Sequence, residues 1–136
     1  IQGQFTSGAS SISQRAALAA VSYSPNVILP MKEAFLERRN FMLKELRNIK
    51  GIKINEPKGA FYLFPDVSEL FGQHFDGKTV NNADDLCLFL LEEAKVALVT
   101  GNAFGSPNCI RISYAASMEQ LKEAVYRIKS AISQLN

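Results

Sequence analysis

The chain has 136 residues, 47% of them hydrophobic, and a formal charge of +2 at neutral pH. That length suits one domain with a core of its own. So small a charge, dispersed along the chain, makes no phosphate-tracking stripe and argues against a nucleic-acid partner. No apolar run approaches membrane-spanning length, so no membrane partner is expected. A single histidine, His74, in a polar loop leaves no zinc set, so no metal is expected. Cys87 and Cys109 lack CxxC spacing and read as reduced, buried thiols of a cytoplasmic-type compartment.

Residues 1–9 are polar and rich in Gly and Ser, and read as loop. Ser10 or Ser11 suits the cap of a helix to about Tyr23, with Ile12, Ala16, Ala19 and Ala20 on one side. Ser24-Pro25-Asn26 ends it, because the residue before proline disfavours helix and Asn suits a turn. A long helix follows, from about Val27 or Pro30 to Lys50. Its apolar side carries Met31, Phe35, Met42, Leu46 and Ile49, and Gly51 stops it. The charged residues Glu33, Glu37, Arg38, Arg39, Lys44 and Glu45 read as its solvated face. Ile52-Lys53-Ile54 reads as a short strand and Ala60–Phe64 as a second, stopped by Pro65.

Residues 66–82 form a polar connection with a helical turn near Val67–Phe71. Asn82 suits the cap of a helix over 83–95, with Leu86, Cys87, Leu90, Leu91 and Ala94 on its apolar side. Val96-Ala97-Leu98-Val99 reads as a strand buried on both faces. Ser117 and Gln120 form a capping box for a last helix, whose stripe is Leu121, Ala124, Val125, Ile128, Ala131, Ile132 and Leu135. The expected fold is α/β: a small mixed sheet covered by helices, with a long N-terminal helix.

Between the glycine loop Gly101-Asn102-Ala103-Phe104-Gly105 and the last helix lies Cys109-Ile110-Arg111-Ile112-Ser113-Tyr114. Alternation puts Ile110, Ile112 and Tyr114 on one face and Cys109, Arg111 and Ser113 on the other. Arg111 reads as an anion receptor, whose planar fork suits a carboxylate or phosphate. The same six residues also fit a structural arginine snorkelling to the sheet edge or pairing with an acid.

Four collinear stretches shift that balance. Ile1–Gln14, Glu56-Pro57-Lys58-Gly59-Ala60-Phe61-Tyr62-Leu63-Phe64, Ala94–Val99 and Cys109–Ala115 resemble segments of fold-type I aminotransferases that use pyridoxal phosphate. The branch resembled is that of bacterial and plastid aspartate/prephenate aminotransferases. The resemblance implies the C-terminal small domain of such an enzyme at residues 25–136, with residues 1–24 a remnant of the large cofactor domain.

It implies that Arg111 grips the substrate α-carboxylate, with Gly59 and Phe61 beside the substrate. From the residues alone, Gly59 permits close approach of a ligand or a packed helix, and Phe61 is a pocket wall or a core aromatic. Thr6 and Ser7 lie where the family approaches the neighbouring subunit's active site, and they fit equally well as ordinary loop hydroxyls. The loop at 100–105 departs from the family pattern where Thr100 stands for proline, which is expected to loosen φ there.

None of the nine lysines has the family's Schiff-base context, and Lys32, Lys44, Lys50, Lys122 and Lys129 read as solvent-facing. The aspartate that pairs with the pyridinium nitrogen and the phosphate loop are not found. The chain therefore reads as a fragment, inactive alone and not itself binding pyridoxal phosphate. The implied full-length enzyme is a cytoplasmic homodimer. With an N-terminal cofactor domain, it moves an amino group between a dicarboxylic amino acid and a 2-oxo acid. An aromatic or alanine aminotransferase, a C–S lyase on the same scaffold, and a free-standing carboxylate-binding module remain open alternatives.

Overall fold

A computed structural model describes residues 1–136 apart from Gln2, Gln4 and Thr6. The chain divides into two compact units, 1–33 and 34–136.

In the first unit, α1 spans Ser11–Ser22. Ser10 is the cap, its hydroxyl accepting the Ser13 backbone N–H at 3.3 Å, which satisfies one of the donors every helix start leaves open. None of the α1 residues is buried. Ser24 then caps a 3-10 turn over Pro25–Ile28, and α2 runs over Leu29–Leu46. Pro30 sits in the first turn of α2, where its missing N–H has no helical partner to lose. The helix stops short of the expected Lys50. The chain turns over instead, and Gly51 adopts φ 88°, a left-handed conformation that glycine takes without strain.

The second unit holds a three-stranded sheet and a separate hairpin. The sheet is built from β1 (Tyr62–Leu63), β4 (Val99–Thr100) and β5 (Ile110–Ser113), in the order β1-β5-β4. Both pairings are antiparallel, with Tyr62 opposite Ser113, Leu63 opposite Ile112, Val99 opposite Arg111 and Thr100 opposite Ile110. The α/β class stands, but the described pairings of this sheet are antiparallel rather than mixed. Ile52–Ile54 contributes only a single bridge, Lys53 to Asp66.

The Val96–Val99 stretch is likewise not buried on both faces. Ala97 is exposed, Val96 and Leu98 are half-buried, and Val99 is 36% exposed. The reason is topological: β4 is an edge strand paired only with β5, and an edge in so small a sheet has neighbours on one side only.

The hairpin joins β2 (His74–Phe75) to β3 (Lys78–Thr79). Asp76 and Gly77 turn it, with φ 47° and 75°. Two left-handed residues make the turn whose twist matches that of paired strands, and Asp-Gly is a sequence signal for it. Residues 66–82 carry the helical turn expected near Val67–Phe71, as a 3-10 turn at Ser68–Leu70, and also this hairpin, which was not expected. His74 is exposed, its Nδ1 2.9 Å from the Thr79 hydroxyl.

Two more helices complete the unit. α3 spans Ala83–Glu93 and is capped by Asn82, whose side chain accepts the Asp85 N–H at 2.9 Å. Asp84 and Asp85 lie in its first turn, where negative charge is favoured by the helix dipole. α4 spans Met118–Ile132 behind the expected Ser117–Gln120 capping box. The core is closed by Met42 and Leu46 of α2, Leu63 of β1, Leu70 of the 3-10 turn, Leu86 and Leu90 of α3, Ile110 of β5 and Ile128 of α4, each at most 1% exposed. Burying a side chain of that size is worth about 1.5–3 kcal/mol. The inward residues of β1 and β5, Leu63, Ile110 and Ile112, face this core, which turns Tyr62, Val99, Arg111 and Ser113 to the opposite face of the sheet.

Candidate carboxylate-binding site

Arg111 leaves β5 on that outward face and is half-buried. Its guanidinium carbon lies 4.7 Å from the centre of the Phe104 ring and 5.5 Å from that of Tyr62. Both distances fall within cation–π range. Among the described residues, no carboxylate pairs with Arg111 and no oxygen accepts a hydrogen bond from it. Of the structural alternatives, pairing with a core acid is therefore not what the described residues contain.

Arg39 shows the contrast. Its guanidinium donates to the Pro57 carbonyl at 3.0 Å, to the Asn40 side chain and to Glu56 at 3.4 Å. Two of these bonds, to Pro57 and Glu56, tie the 56–57 segment to α2. Arg39 was expected on a solvated face, yet its side chain is 19% exposed. Glu45, also assigned to that face, pairs with Lys129 of α4, which holds its carboxyl below the ordinary value.

The segment that Arg39 ties down leads to Gly59, Ala60 and Phe61. A Cβ on Gly59 would meet nothing within 4 Å. No packed helix approaches it among the described residues. Phe61 is 53% exposed, so its core reading is overturned. Its ring meets Tyr62 edge-on at 6.0 Å, giving a chain of contacts from Phe61 through Tyr62 to Arg111. The backbone here is held by Tyr114, whose N–H donates to the Phe61 carbonyl at 2.8 Å and whose hydroxyl donates to that of Ala60 at 2.9 Å. Burial raises the Tyr114 phenol above its ordinary pKa.

The loop carrying Phe104 is a 3-10 turn over Gly101–Phe104, closed by Gly105 at φ 73°. A Cβ on Gly101 would sit 2.2 Å from the Ser106 carbonyl oxygen and 2.4 Å from that of Cys109. Only glycine fits there. Thr100, expected to loosen the turn, has φ −61° and accepts the Asn102 N–H on its hydroxyl at 3.2 Å. It keeps the angle a proline would impose and adds a cap.

Thr6 lies outside the described residues. Ser7 is exposed, with φ 52°, and belongs to the first unit. Cys87 and Cys109 are both free and half-buried rather than fully buried. Burial pushes the Cys87 thiol up to about 11 and raises that of Cys109. Tyr62, Phe104 and Gly101 carried no role in the sequence reading. Their nearest signal was the pair of glycines bracketing Phe104.

A cofactor that bonds to a lysine needs one that is desolvated or crowded by positive charge. Eight of the nine lysines are exposed and the remaining one, Lys129, is paired with Glu45. The described residues of this chain do not fit that requirement.

Known proteins resemble this chain in sequence and fold. The bifunctional aspartate aminotransferase and glutamate/aspartate-prephenate aminotransferase of Petunia hybrida is 52% identical over 97% of the chain. The aspartate aminotransferase of Pinus pinaster is 46% identical over 97%. The chain spans 28% of the length of each. In the crystal structure of the aspartate aminotransferase from Rhizobium meliloti, a matching region superposes with a TM-score of 0.91 at 40% identity. It covers 99% of this chain and 34% of that one. Residues 1–128 match the family described as aminotransferase class I and II, and the chain belongs to that family.

Proposed function

We propose that this chain supplies the substrate-carboxylate clamp of an aspartate-type aminotransferase. The full-length protein would exchange an amino group between a dicarboxylic amino acid and a 2-oxo acid. One observation carries the reading: the Arg111 guanidinium is half-buried and held between two rings, with no acid among the described residues to neutralise it. A planar fork in that state takes a carboxylate through two parallel, charge-assisted hydrogen bonds. Fixing the α-carboxylate fixes the amino acid's orientation, which converts a chance encounter into a near-attack geometry. The aspartate aminotransferases among the relatives support the dicarboxylic preference.

Pyridoxal phosphate, which the family implies, supplies the electron sink for the exchange when bound. On this reading it is held by the part of the relatives' length that this chain does not match. Residues 1–24 belong to that cofactor domain and residues 25–136 to the small domain. Gly59 and Phe61 line the substrate side of Arg111, while Ser7 approaches the second subunit of a homodimer. The two free thiols fit a reducing, cytoplasmic-type compartment.

Assaying the full-length protein with aspartate, glutamate, alanine and phenylalanine against 2-oxo acids tests the reading. Aspartate and glutamate are expected to exceed the others in kcat/KM by at least about tenfold. Preference for alanine or phenylalanine would reassign the substrate. Thioether cleavage in place of amino transfer would make the protein a lyase. Carboxylate binding without either reaction would make it a binding module.

A further inference from the structure

We infer that Phe104 and Tyr62 are positioning residues that order the Arg111 guanidinium before any ligand arrives, an inference that rests on the clamp reading above. Three observations support it. The rings flank one guanidinium, at 4.7 and 5.5 Å. A ring attracts the cation through its quadrupole and leaves the N–H donors available, whereas a carboxylate would consume them, as Glu56 helps to do at Arg39. Tyr62 is placed by sheet register, opposite Ser113 and so on the Arg111 face.

Phe104 is placed by a turn with no slack. Gly101 admits no Cβ, the Thr100 hydroxyl caps the turn, and Asn102 donates to Asp84 of α3 at 2.7 Å. Phe64 meets the Phe104 ring edge-on at 6.0 Å. Phe104 nevertheless remains 49% exposed. A large apolar ring held this firmly and half in solvent contributes little to the core, and the Arg111 guanidinium lies over it. Arg38 lies over Phe35 at 5.4 Å, a single-ring contact along a helix with no such turn behind it. A guanidinium ordered in advance gives up less rotamer freedom on binding.

The test uses the full-length protein with propionate as the probe, a carboxylate with no amino group. In the wild type, the Arg111 Nε–H proton is expected upfield of the other arginines through the ring currents of Phe104 and Tyr62. In Phe104→Leu and Tyr62→Leu, which keep apolar volume but remove one ring each, that signal should move part of the way back toward the ordinary position. The propionate Kd should rise about three- to tenfold for each. KM for amino acids should rise more than kcat falls, and Phe104→Tyr should restore wild-type values.

Arg111→Ala is the control. If it abolishes propionate binding while both leucine variants bind as wild type does, the positioning role is overturned and the clamp survives. If Arg111→Ala itself binds propionate unchanged, the clamp reading falls. Should a leucine variant fail to fold, an unshifted Arg111 signal in the wild type would overturn the inference alone.

Discussion

The Gly101 N–H donates to the Cys109 carbonyl at 2.7 Å, and the same carbonyl oxygen lies 2.4 Å from where a Gly101 side chain would begin. This close approach joins the end of β4 to the start of β5 and seats the turn that carries Phe104. Gly101→Ala forces two backbone carbonyls apart, and backbone gives way only by opening the turn. We expect a loss of about 1–3 kcal/mol, with weaker carboxylate binding, read by denaturant unfolding and propionate titration. Gly59→Ala meets open space and should unfold within about 0.5 kcal/mol of wild type. A change in substrate KM for that variant, without a change in stability, would place Gly59 beside the ligand.

Arg39 holds the segment leading to Phe61 through the Pro57 carbonyl at 3.0 Å. Arg39→Ala removes that bond and leaves a part-buried acceptor unpaired, a loss of about 1–3 kcal/mol. Thermal unfolding of the two proteins checks it. Arg39→Lys should recover only part, since an ammonium cannot reach Pro57, Asn40 and Glu56 with one planar group. Equal stability of wild type and Arg39→Ala would return Arg39 to the solvated face.

Asp66 links pH to stability. The Ser68 hydroxyl at 2.6 Å and then the Ser68 N–H at 2.9 Å hold its carboxyl below the ordinary carboxylate value. The folded state therefore binds the proton less tightly than the unfolded state. The contribution is complete above the ordinary value near about pH 4 and is lost as pH falls through the depressed one. Stability measured from pH 6 to pH 2 should fall less steeply in Asp66→Asn, which cannot be protonated in that range. An unchanged slope would remove Asp66 from the acid response.

The elements whose cause is local were legible in the sequence. Ser10, one of the two serines expected at the first cap, Asn82 and the Ser117–Gln120 box each cap their helix, because a cap needs only residues within a turn of it. The alternation around Arg111 held for the same reason: Ile110, Ile112 and Tyr114 are buried at 1%, 4% and 2%. Elements that depend on distant partners were misread. Ile52–Ile54 had the composition of a strand but finds only one bridge, and Val96–Val99 lies at an edge that its apolar run does not reveal. The site divides likewise. Arg111 stood out as a candidate from its strand, but the rings beside it come together only through the register of β1 on β5 and the turn after β4.

α1 presents Ile12 at 82% exposure, Leu18 at 57% and Val21 at 81%. Apolar side chains on several sides of one helix favour self-association. Light scattering on this chain should show oligomers, or a population that disappears when residues 1–24 are removed, with residues 27–136 still folded. Monomers in both cases would show that α1 is not an associating surface.

The central claim is that Arg111 receives the substrate α-carboxylate, and its most direct measurement is kcat/KM of Arg111→Ala and Arg111→Lys in the full-length protein. Truncating a bidentate charged contact in a desolvated site costs about 2–5 kcal/mol. Arg111→Ala should therefore lose about one and a half to three and a half orders of magnitude for every amino and oxo acid alike, since all share that group. Arg111→Lys should remain far below wild type, because a point charge lacks the fork. Near wild-type kinetics in either variant would contradict the claim and leave Arg111 a structural residue of β5.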